Sequence, residues 1–374
     1  MNFQISKTEL LNALTLCSRA ISSTTPLPIL SGIYFSLSDY GLTLISSDSN
    51  ISIKTMIEKD DEKNTLNIHE TGEVVLDARY ILEIIRKIES EYITVETIDG
   101  NLTKISGGKS EYKINGMNGY DYPAINFDTS DKQQFEFDTL LFNQIIDETA
   151  FACSESESRP VLTGVNLKAR DNKLYANATD SYRLASKVID IDKDLNFDIT
   201  IPKKYLSEIY HAISNKKNVI IAIDKQKISF LFDNTILETR LLEDEFPSTD
   251  KLIPTNVTQK LVVSSKALAD AIDKTLFIKA DGKNIVNLKI NEQHIEISSS
   301  NQTTLSFFDE VEVISFEGDP FEISCSGKYL QDAIKAIGYD EIVIEFAGEL
   351  KPMVIKKEDD DTLIQLISPV RTYH

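Results

Sequence analysis

Three copies of one strand-and-helix pattern run through this chain of 374 residues. The clearest part of the pattern is a strand that leads into an amphipathic helix, at residues 74–88, 199–213 and 323–337. A tyrosine holds the same place in each copy, and these are Tyr80, Tyr205 and Tyr329. The spacings are 125 and 124 residues (205 minus 80 and 329 minus 205). They exceed the roughly 20 to 50 residues of a solenoid repeat, so the sequence predicts three similar domains.

Each copy also opens with an amphipathic stretch, at residues 3–14, 135–146 and 261–272. In the first stretch Ser6 and Glu9 have the spacing of a capping box. Between the helices the hydrophobic period falls from 3.6 to 2, which is typical of short strands bounded by turns. Each copy is therefore predicted to contain about eight strands and two helices. Because the three tyrosines share one helical position, we interpret them as packing residues.

Polar segments with prolines separate the copies near residues 122–132 and 246–260. They predict domains at 1–125, 130–250 and 256–374. A helix with one apolar stripe, laid on a sheet of alternating strands, buries one face of each layer. The predicted fold class is α+β, with two helices packed on antiparallel sheets in each of the three domains.

A row of three such domains leaves an unpaired strand edge at each end. Proteins cover, charge or pair such edges, because free backbone groups invite association. Head-to-tail pairing of the first domain with the third domain of a second copy would close the series.

The formal net charge is −20, from 39 basic and 59 acidic side chains. Binding of nucleic acid by bulk electrostatics needs a positive surface, so this composition argues against that mode. Three distant cysteines, Cys17, Cys153 and Cys325, are expected to be reduced thiols. Together with the lack of a signal pattern or a long apolar run, this favours a cytoplasmic protein.

The sequence offers little for catalysis. None of its four histidines lies in a known metal-binding or nucleophile motif, and no cofactor is expected. The Gly107–Ser110 stretch resembles the end of a phosphate loop, but Thr103 stands where that motif needs glycine, so a hairpin turn is favoured. A hydrolase or transferase on a repeated β scaffold remains the alternative, and it would need a convergent polar site.

Two segments carry a specific resemblance: residues 158–165 (SRPVLTGV) and 178–185 (ATDSYRLA). Residues 27–30, 245–247 and 368–371 fit the same pattern. Over its whole length the chain resembles the bacterial sliding clamp, the beta subunit of DNA polymerase III.

The resemblance implies a head-to-tail homodimer that forms a closed ring of six domains, with helices around the hole and sheets on the rim. It implies a non-catalytic processivity factor that encircles double-stranded DNA without sequence preference. Topology would then hold the ring on DNA, which reconciles the function with the acidic composition. The implied partners are the replicative polymerase, the clamp loader, other polymerases and repair proteins, each bound through a short linear peptide.

The resemblance also assigns surfaces. Basic residues expected to face DNA are Lys7, Arg19, Arg86, Lys87, Arg159, Lys203, Lys204, Lys266, Lys328 and Lys335. Many family members have an arginine just before the early proline, where this chain has Thr24 and Thr25 before Pro26. That departure removes one expected DNA contact.

A peptide-binding pocket is implied between the middle and last domains. Its expected residues are Leu162, Thr179, Ser181, Tyr182, Arg183, Leu184, Pro247, Leu252, Pro352, Met353, Pro369, Val370 and Arg371. Apolar side chains suit a peptide with apolar anchors, and Arg183 could orient a polar group. Ser181 and Tyr182 replace the family's common glycine and histidine, and residues 372–374 extend past Arg371.

The ring interface is expected to bring Tyr112 and Ile114 of one copy against Leu276 and Phe277 of the other. Four large apolar side chains on two end surfaces would be a liability in a monomer.

Overall fold

The computed structural model describes residues 1–22, 24–59, 66–249, 251–280, 282–301, 304–338 and 340–371. Its secondary structure repeats three times along the chain. The first repeat contains β1 (Asn2–Ser6), α1 (Lys7–Cys17), β2 (Gly32–Ser38), β3 (Gly41–Ser47), β4 (Ile51–Glu58), β5 (Asn67–Glu70), β6 (Gly72–Asp77), α2 (Ala78–Lys87), β7 (Tyr92–Asp99), β8 (Leu102–Gly107) and β9 (Ser110–Asn115).

The second and third repeats follow the same order, except that their described residues contain no counterpart of β5. The second contains β10 (Gln133–Asp138), α3 (Thr139–Thr149), β11 (Gly164–Arg170), β12 (Lys173–Thr179), β13 (Arg183–Asp190), β14 (Phe197–Pro202), α4 (Lys203–Ile213), β15 (Asn218–Ile223), β16 (Lys227–Phe232) and β17 (Thr235–Arg240). The third contains β18 (Gln259–Ser264), α5 (Ser265–Asp273), β19 (Ile285–Ile290), β20 (His294–Ser300), β21 (Ser306–Glu317), β22 (Phe321–Ser326), α6 (Gly327–Ile337), β23 (Glu341–Phe346), β24 (Met353–Lys357) and β25 (Asp360–Ile367). The predicted threefold α+β pattern is confirmed.

Side-chain caps explain where most of the helices begin. The carboxylate of Asp77 accepts from the backbone N–H of Tyr80, and Ser326 does the same for Tyr329. Ser264 caps α5 in this way too. The capping box expected at Ser6 is wrong, because the Ser6 side chain makes no capping hydrogen bond. The first N–H of α1 donates instead to the carbonyl of Glu91, 2.8 Å away.

The chain divides into two compact units, which are Met1–Phe142 with Lys204–Leu241, and Asn143–Lys203 with Leu242–His374. The first unit holds a five-stranded sheet (β5-β1-β7-β8-β9) and an eight-stranded sheet (β10-β15-β16-β17-β4-β3-β2-β6). The second unit holds a twelve-stranded sheet (β14-β11-β12-β13-β25-β24-β23-β18-β21-β20-β19-β22). In each unit, one sheet therefore continues from one repeat into the next.

Two strand junctions create this continuity. In the first unit β17 pairs antiparallel with β4, with Leu237 opposite Ile53 and both side chains fully buried. Across the same junction the hydroxyls of Thr55 and Thr235 lie 2.8 Å apart. In the second unit β25 pairs with β13 in the same manner. The repeats are joined by backbone hydrogen bonds as well as by side-chain packing.

The three repeated tyrosines differ in burial. Tyr205 is buried and Tyr329 is half-buried, whereas Tyr80 is 53% exposed and packs against the guanidinium of Arg79 on its own helix. The packing interpretation is therefore wrong for Tyr80. Tyr205 and Tyr329, each in the first turn of its helix, contact a turn of the preceding repeat, at Asp48 and Asp180 respectively.

The Gly107–Ser110 stretch is the hairpin turn between β8 and β9, as expected, with Gly107 opposite Ser110. No helix within the described ranges is long and apolar enough to cross a membrane. Nor do the described residues contain a cluster of His, Cys, Asp or Glu side chains placed to hold a metal ion.

All three cysteines are free and buried, and burial raises the pKa of each thiol to about 12. The reactive thiolate then makes up about one part in 10,000 at pH 8. We expect Ellman's reagent to detect no thiol in the native protein and three in guanidinium chloride. The exposed variant Lys351→Cys should add one native signal as a control. A rapidly reacting thiol in the unmodified native protein would contradict this burial.

Candidate peptide-binding cleft and association surfaces

The main cleft of the second unit has a volume of about 660 Å³. Its walls come from the β12–β13 turn, the segment after α5, the start of α6 and the C-terminal tail. Lining residues are Tyr182, Leu276, Lys279, Gly282, Lys283, Asn284, Ile285, Ser326, Lys328, Tyr329, Ser368, Pro369 and Val370. A cleft with apolar walls and lysines at its rim is suited to a short peptide that has apolar anchors.

The mouth of the cleft is built by a tight turn between β12 and β13. One oxygen of Asp180 accepts from the backbone N–H groups of Tyr182 and Arg183, and Ser181 has a φ of 78°. This left-handed conformation favours glycine, so serine here carries some backbone strain. The turn presents Tyr182 with 66% of its surface exposed.

The C-terminal tail runs alongside this turn and forms the next part of the wall. The N–H of Ser368 donates to the carbonyl of Tyr182 at 2.8 Å, and the N–H of Val370 donates to the carbonyl of Ser324 at the same distance. These bonds fix Pro369 and Val370 along the cleft. Residues 372–374, which were expected to alter the pocket, lie outside the described residues.

Arg183 lies behind the cleft and is held firmly in place. Its guanidinium bonds to Asp180 (3.0 Å), to Asp332 (2.9 Å) and to the carbonyl of Phe151 (2.7 Å). It also lies 4.2 Å from the ring centre of Tyr329, and its side chain is 10% exposed. Three of its five donors are thus committed. The geometry makes Arg183 a residue that positions Tyr329 in the cleft wall.

The other expected pocket residues separate into four groups. Tyr182, Pro369 and Val370 line the cleft. Leu162, Leu184 and Met353 are buried in the core, and Thr179 donates its hydroxyl hydrogen to the carbonyl of Arg183. Pro247 lines a separate cavity of about 120 Å³. Leu252 and Arg371 are exposed, and Pro352 is half-buried.

Sequence reasoning missed several cleft residues. The repeated position of Tyr329 is a signal in the sequence, but it indicates packing first and does not reveal that Tyr329 also lines the cleft. Leu276 was expected at the ring interface, yet it lines the cleft and packs against the core of the third repeat. Its neighbour Phe277 is 72% exposed. The rim lysines Lys279 and Lys283 had no sequence signal beyond their charge.

Burial and a neighbouring carboxylate act together on the junction tyrosines. Burial, followed by the charge of Asp180, raises the pKa of Tyr329. Burial, followed by the charge of Asp48, raises the pKa of Tyr205. Both phenols therefore stay neutral, and able to donate a hydrogen bond, to higher pH than a free tyrosine.

The ten basic residues expected to face DNA fall into two sets. Six make internal contacts: Lys7 to the carbonyls of Arg86 and Ile88, Arg19 to Glu208, Arg86 to Glu83, Lys203 to Glu155, Lys204 to Asp48, and Lys328 to Asp332. Lys87, Arg159, Lys266 and Lys335 are exposed and form no ion pair with another described residue. These four can contact phosphate without first breaking a salt bridge.

The expected interface residues lie on surfaces that could associate. Tyr112 is 38% exposed and Ile114 half-buried on β9, which is the edge strand of the five-stranded sheet. Phe277 lies on the third repeat, where Leu305 and Phe308 are also exposed large apolar side chains. Exposed apolar residues near a free strand edge are typical of an association surface.

Comparison with known proteins covers the whole chain. Models of the DNA polymerase III beta subunit match its N-terminal domain to residues 1–126, its central domain to 136–248 and its C-terminal domain to 250–371. The beta sliding clamp of Bacillus subtilis is 35% identical over 379 residues, and that of Staphylococcus epidermidis (strain ATCC 12228) is 36% identical over 377 residues. Both alignments cover 100% of each chain.

Solved structures also match the chain over almost its whole length. The crystal structure of the DNA polymerase sliding clamp from Bacillus subtilis superposes with a TM-score of 0.95 at 34% identity, and the alignment covers 100% of both chains. The beta chain of DNA polymerase III from Streptococcus pneumoniae gives a TM-score of 0.95 at 31% identity, covering 99% of this chain and 100% of the other.

Full-length agreement in sequence and fold places the chain in the class of DNA sliding clamps. Within that class it belongs to the bacterial beta sliding clamp family, the beta subunit of DNA polymerase III. It is a non-catalytic processivity factor of DNA replication. The hydrolase or transferase alternative has no support.

Arg183→Leu should leave Asp180 without its cation, and Asp332 with Lys328 alone, in a poorly solvated place. We expect the free energy of unfolding to fall by about 3 kcal/mol, measured by urea unfolding followed by circular dichroism. Arg183→Lys should recover only part of the loss, because an ammonium cannot serve both carboxylates in the same geometry.

The matched control is Lys173→Leu. Lys173 lies 3.8 Å from Asp190 and is half exposed, so its loss should cost less than about 1 kcal/mol. Equal effects of the two leucine variants would show that Arg183 is an ordinary surface residue.

Proposed function

We propose that two copies of this chain join head to tail into a closed ring of six domains around duplex DNA. One observation carries the proposal: the second repeat pairs its strand edges with both neighbours, while the first and third repeats each keep one such edge unpaired among the described residues. Association of those two edges satisfies their backbone groups. Because the two ends are different surfaces, the contact between copies is heterologous. Two copies form a closed ring when the rotation that relates one copy to the next brings the chain of contacts back to the first copy.

A ring accounts for how an acidic protein can stay on DNA. Closed topology prevents dissociation, so only weak phosphate contacts are needed, and weak contacts allow sliding. The helices face the hole and the sheets form the rim. Lys87, Arg159, Lys266 and Lys335 are the main candidates for phosphate contact, because the other six expected residues are already tied to protein partners. The cytoplasm is the expected location.

The cleft of the second unit is the proposed site for partner peptides. Leu276, Tyr329, Pro369 and Val370 offer apolar contact, and Tyr182 can cover a bound chain. Exposed Lys279 and Lys283 on the rim favour a peptide that carries an acidic residue beside its apolar anchors. The expected partners are the replicative polymerase, the clamp loader, other polymerases and repair proteins.

Loading on circular DNA tests the ring directly. The protein is loaded on a nicked plasmid by the clamp loader with ATP and washed in 1 M NaCl, and the plasmid is then linearised. Retention on the circle and release from the line show topological binding, because this much salt removes electrostatic binding from both forms. Loading is verified by retention before the wash. Equal loss from circle and line in salt would refute the ring.

The peptide site can be tested at Val370. Val370→Asp places a charge in the apolar wall, so we expect at least a tenfold weaker Kd for a fluorescent peptide carrying the clamp-binding segment of the polymerase III catalytic subunit. Fluorescence anisotropy measures the change. Val257→Asp is the control, since Val257 is exposed outside the cleft and should leave the Kd unchanged. Equal Kd values for the two variants would show that the peptide binds at another site.

The association surface can be tested at Phe277. Phe277→Asp puts a charge in the proposed interface and is expected to yield monomers by light scattering. Leu350→Asp, at an exposed turn between β23 and β24, should remain dimeric. An unchanged mass for Phe277→Asp would remove that residue from the interface.

A further inference from the structure

The first unit contains a cavity that the proposed function does not use. It has a volume of about 240 Å³, and all of its lining residues belong to that unit. Its walls come from the segment before β2, the β3–β4 turn, the linker after β9 and the adjoining ends of β16 and β17. The cavity therefore lies at the first strand junction, where β17 pairs with β4.

The turn at this cavity has the same conformation as the turn at the cleft of the second unit. One oxygen of Asp48 accepts from the two backbone N–H groups after Ser49, as one oxygen of Asp180 does after Ser181. The φ angles of the two serines are 79° and 78°. Both turns are thus closed by the same pair of hydrogen bonds.

The end of the last strand meets this turn in the same way at both junctions. The N–H of Arg240 donates to the carbonyl of Asn50 at 2.9 Å, and the N–H of Ser368 donates to the carbonyl of Tyr182 at 2.8 Å. Arg240 is therefore the counterpart of Ser368, and Asn50 is the counterpart of Tyr182.

Residues of the peptide pocket implied by the family resemblance also have counterparts here. Leu30 and Leu162 are each the third residue of a short 3-10 helix, before β2 and β11 respectively. Pro123 and Pro247 each follow an aromatic residue in the linker after a repeat. The first junction thus repeats part of the frame on which the expected pocket of the second junction is built.

The side chains on this frame are more polar at the first junction. Glu238 lies opposite Ser52 in the register of β17 with β4, whereas Leu366 lies opposite Leu184 in the register of β25 with β13. All four side chains are buried. The hydroxyls of Ser52 and Ser47 lie 2.8 Å apart. The two junctions therefore favour different ligands.

Arg240 supplies the unpaired charge of the cavity. The carboxylate of Glu238 lies 2.6 Å from the ammonium of Lys227 and 3.7 Å from that of Lys132, so its charge is balanced within the protein. Arg240 is exposed and forms no ion pair with another described residue. A free guanidinium favours a carboxylate, which it can bind through two parallel hydrogen bonds.

The rest of the wall offers apolar contact and free backbone groups. Leu27 is 49% exposed, and Leu30 and Ile125 also line the cavity. The backbone N–H and C=O groups of Ala124 and Ile125 form no hydrogen bond within the part of the chain that the structure describes. Such groups beside an apolar surface suit an extended peptide, because its own backbone can pair with them.

We infer that this cavity binds an extended peptide from a partner protein. A carboxylate of the peptide pairs with Arg240, a neighbouring apolar side chain packs on Leu27 and Ile125, and the peptide backbone pairs with residues 124–125. The cavity shares no lining residue with the cleft of the second unit, so it is a second peptide site on the chain. This inference goes beyond the proposed function and does not depend on ring closure.

Peptide selection on the full-length protein tests the inference. A phage-displayed library of random dodecapeptides is selected on the Val370→Asp variant, whose altered cleft should bind peptides poorly. We expect peptides in which an acidic residue adjoins an apolar one. Leu27→Asp adds a charge to the apolar wall and Arg240→Glu repels the carboxylate, so each should raise the Kd of these peptides at least tenfold in fluorescence anisotropy.

The matched control is Lys59→Glu. Lys59 is an exposed turn residue outside the cavity, and the substitution changes the charge by the same amount as Arg240→Glu. It should leave the Kd unchanged, and an unchanged urea midpoint verifies that each variant is folded. A selection that yields no peptide weakened by both Leu27→Asp and Arg240→Glu overturns the inference.

The polymerase III peptide distinguishes a failure of this inference from a failure of the proposed function. Its Kd should respond to Val370→Asp and not to Leu27→Asp, whereas the selected peptides should respond to Leu27→Asp and not to Val370→Asp. A polymerase peptide that binds the Val370→Asp variant normally refutes the cleft, and the selected peptides still decide whether the cavity is a peptide site.

Discussion

Backbone hydrogen bonding between strands of neighbouring repeats is the interaction on which this architecture depends. A strand edge with free N–H and C=O groups must be paired or protected. The chain solves this twice by joining the last strand of one repeat to the fourth strand of the previous one, at β17–β4 and β25–β13. Buried side chains such as Leu237 and Ile53 then complete each junction.

The peptide-sized cleft is a product of the second junction. Asp180 shapes the turn that presents Tyr182, and Arg183 ties that turn to Asp332 on α6 while covering Tyr329. The pairing of β25 with β13 brings the tail after β25 alongside the turn, so that Pro369 and Val370 complete the wall. Joining two repeats and forming the cleft are therefore one structural event in this family member. A substitution that weakens the junction should also distort the cleft.

Much of the fold follows from the sequence, because apolar periodicity and repeated spacing depend on burial inside one repeat. The site is less predictable, since its residues act across repeats. Tyr80 and Tyr205 have the same local sequence setting, and only a neighbouring turn decides which is buried. Leu276 and Phe277 are adjacent and both apolar, and the tight turn after α5 decides which one enters the cleft wall. The sequence predicts that Arg183 orients a ligand, whereas in the structure its guanidinium is bonded to three protein partners.

The central claim is that one junction geometry serves both within the chain and between two copies. Hydrogen exchange at β9 tests it most directly, because strand pairing protects the amides of an edge strand. If the account is right, the β9 amides on the free edge of the five-stranded sheet exchange in the wild-type protein as slowly as the β17 amides that face β4. In the monomeric Phe277→Asp variant the same β9 amides exchange rapidly. If those β9 amides exchange rapidly in a wild-type dimer, the two copies associate through another surface, and the account is contradicted.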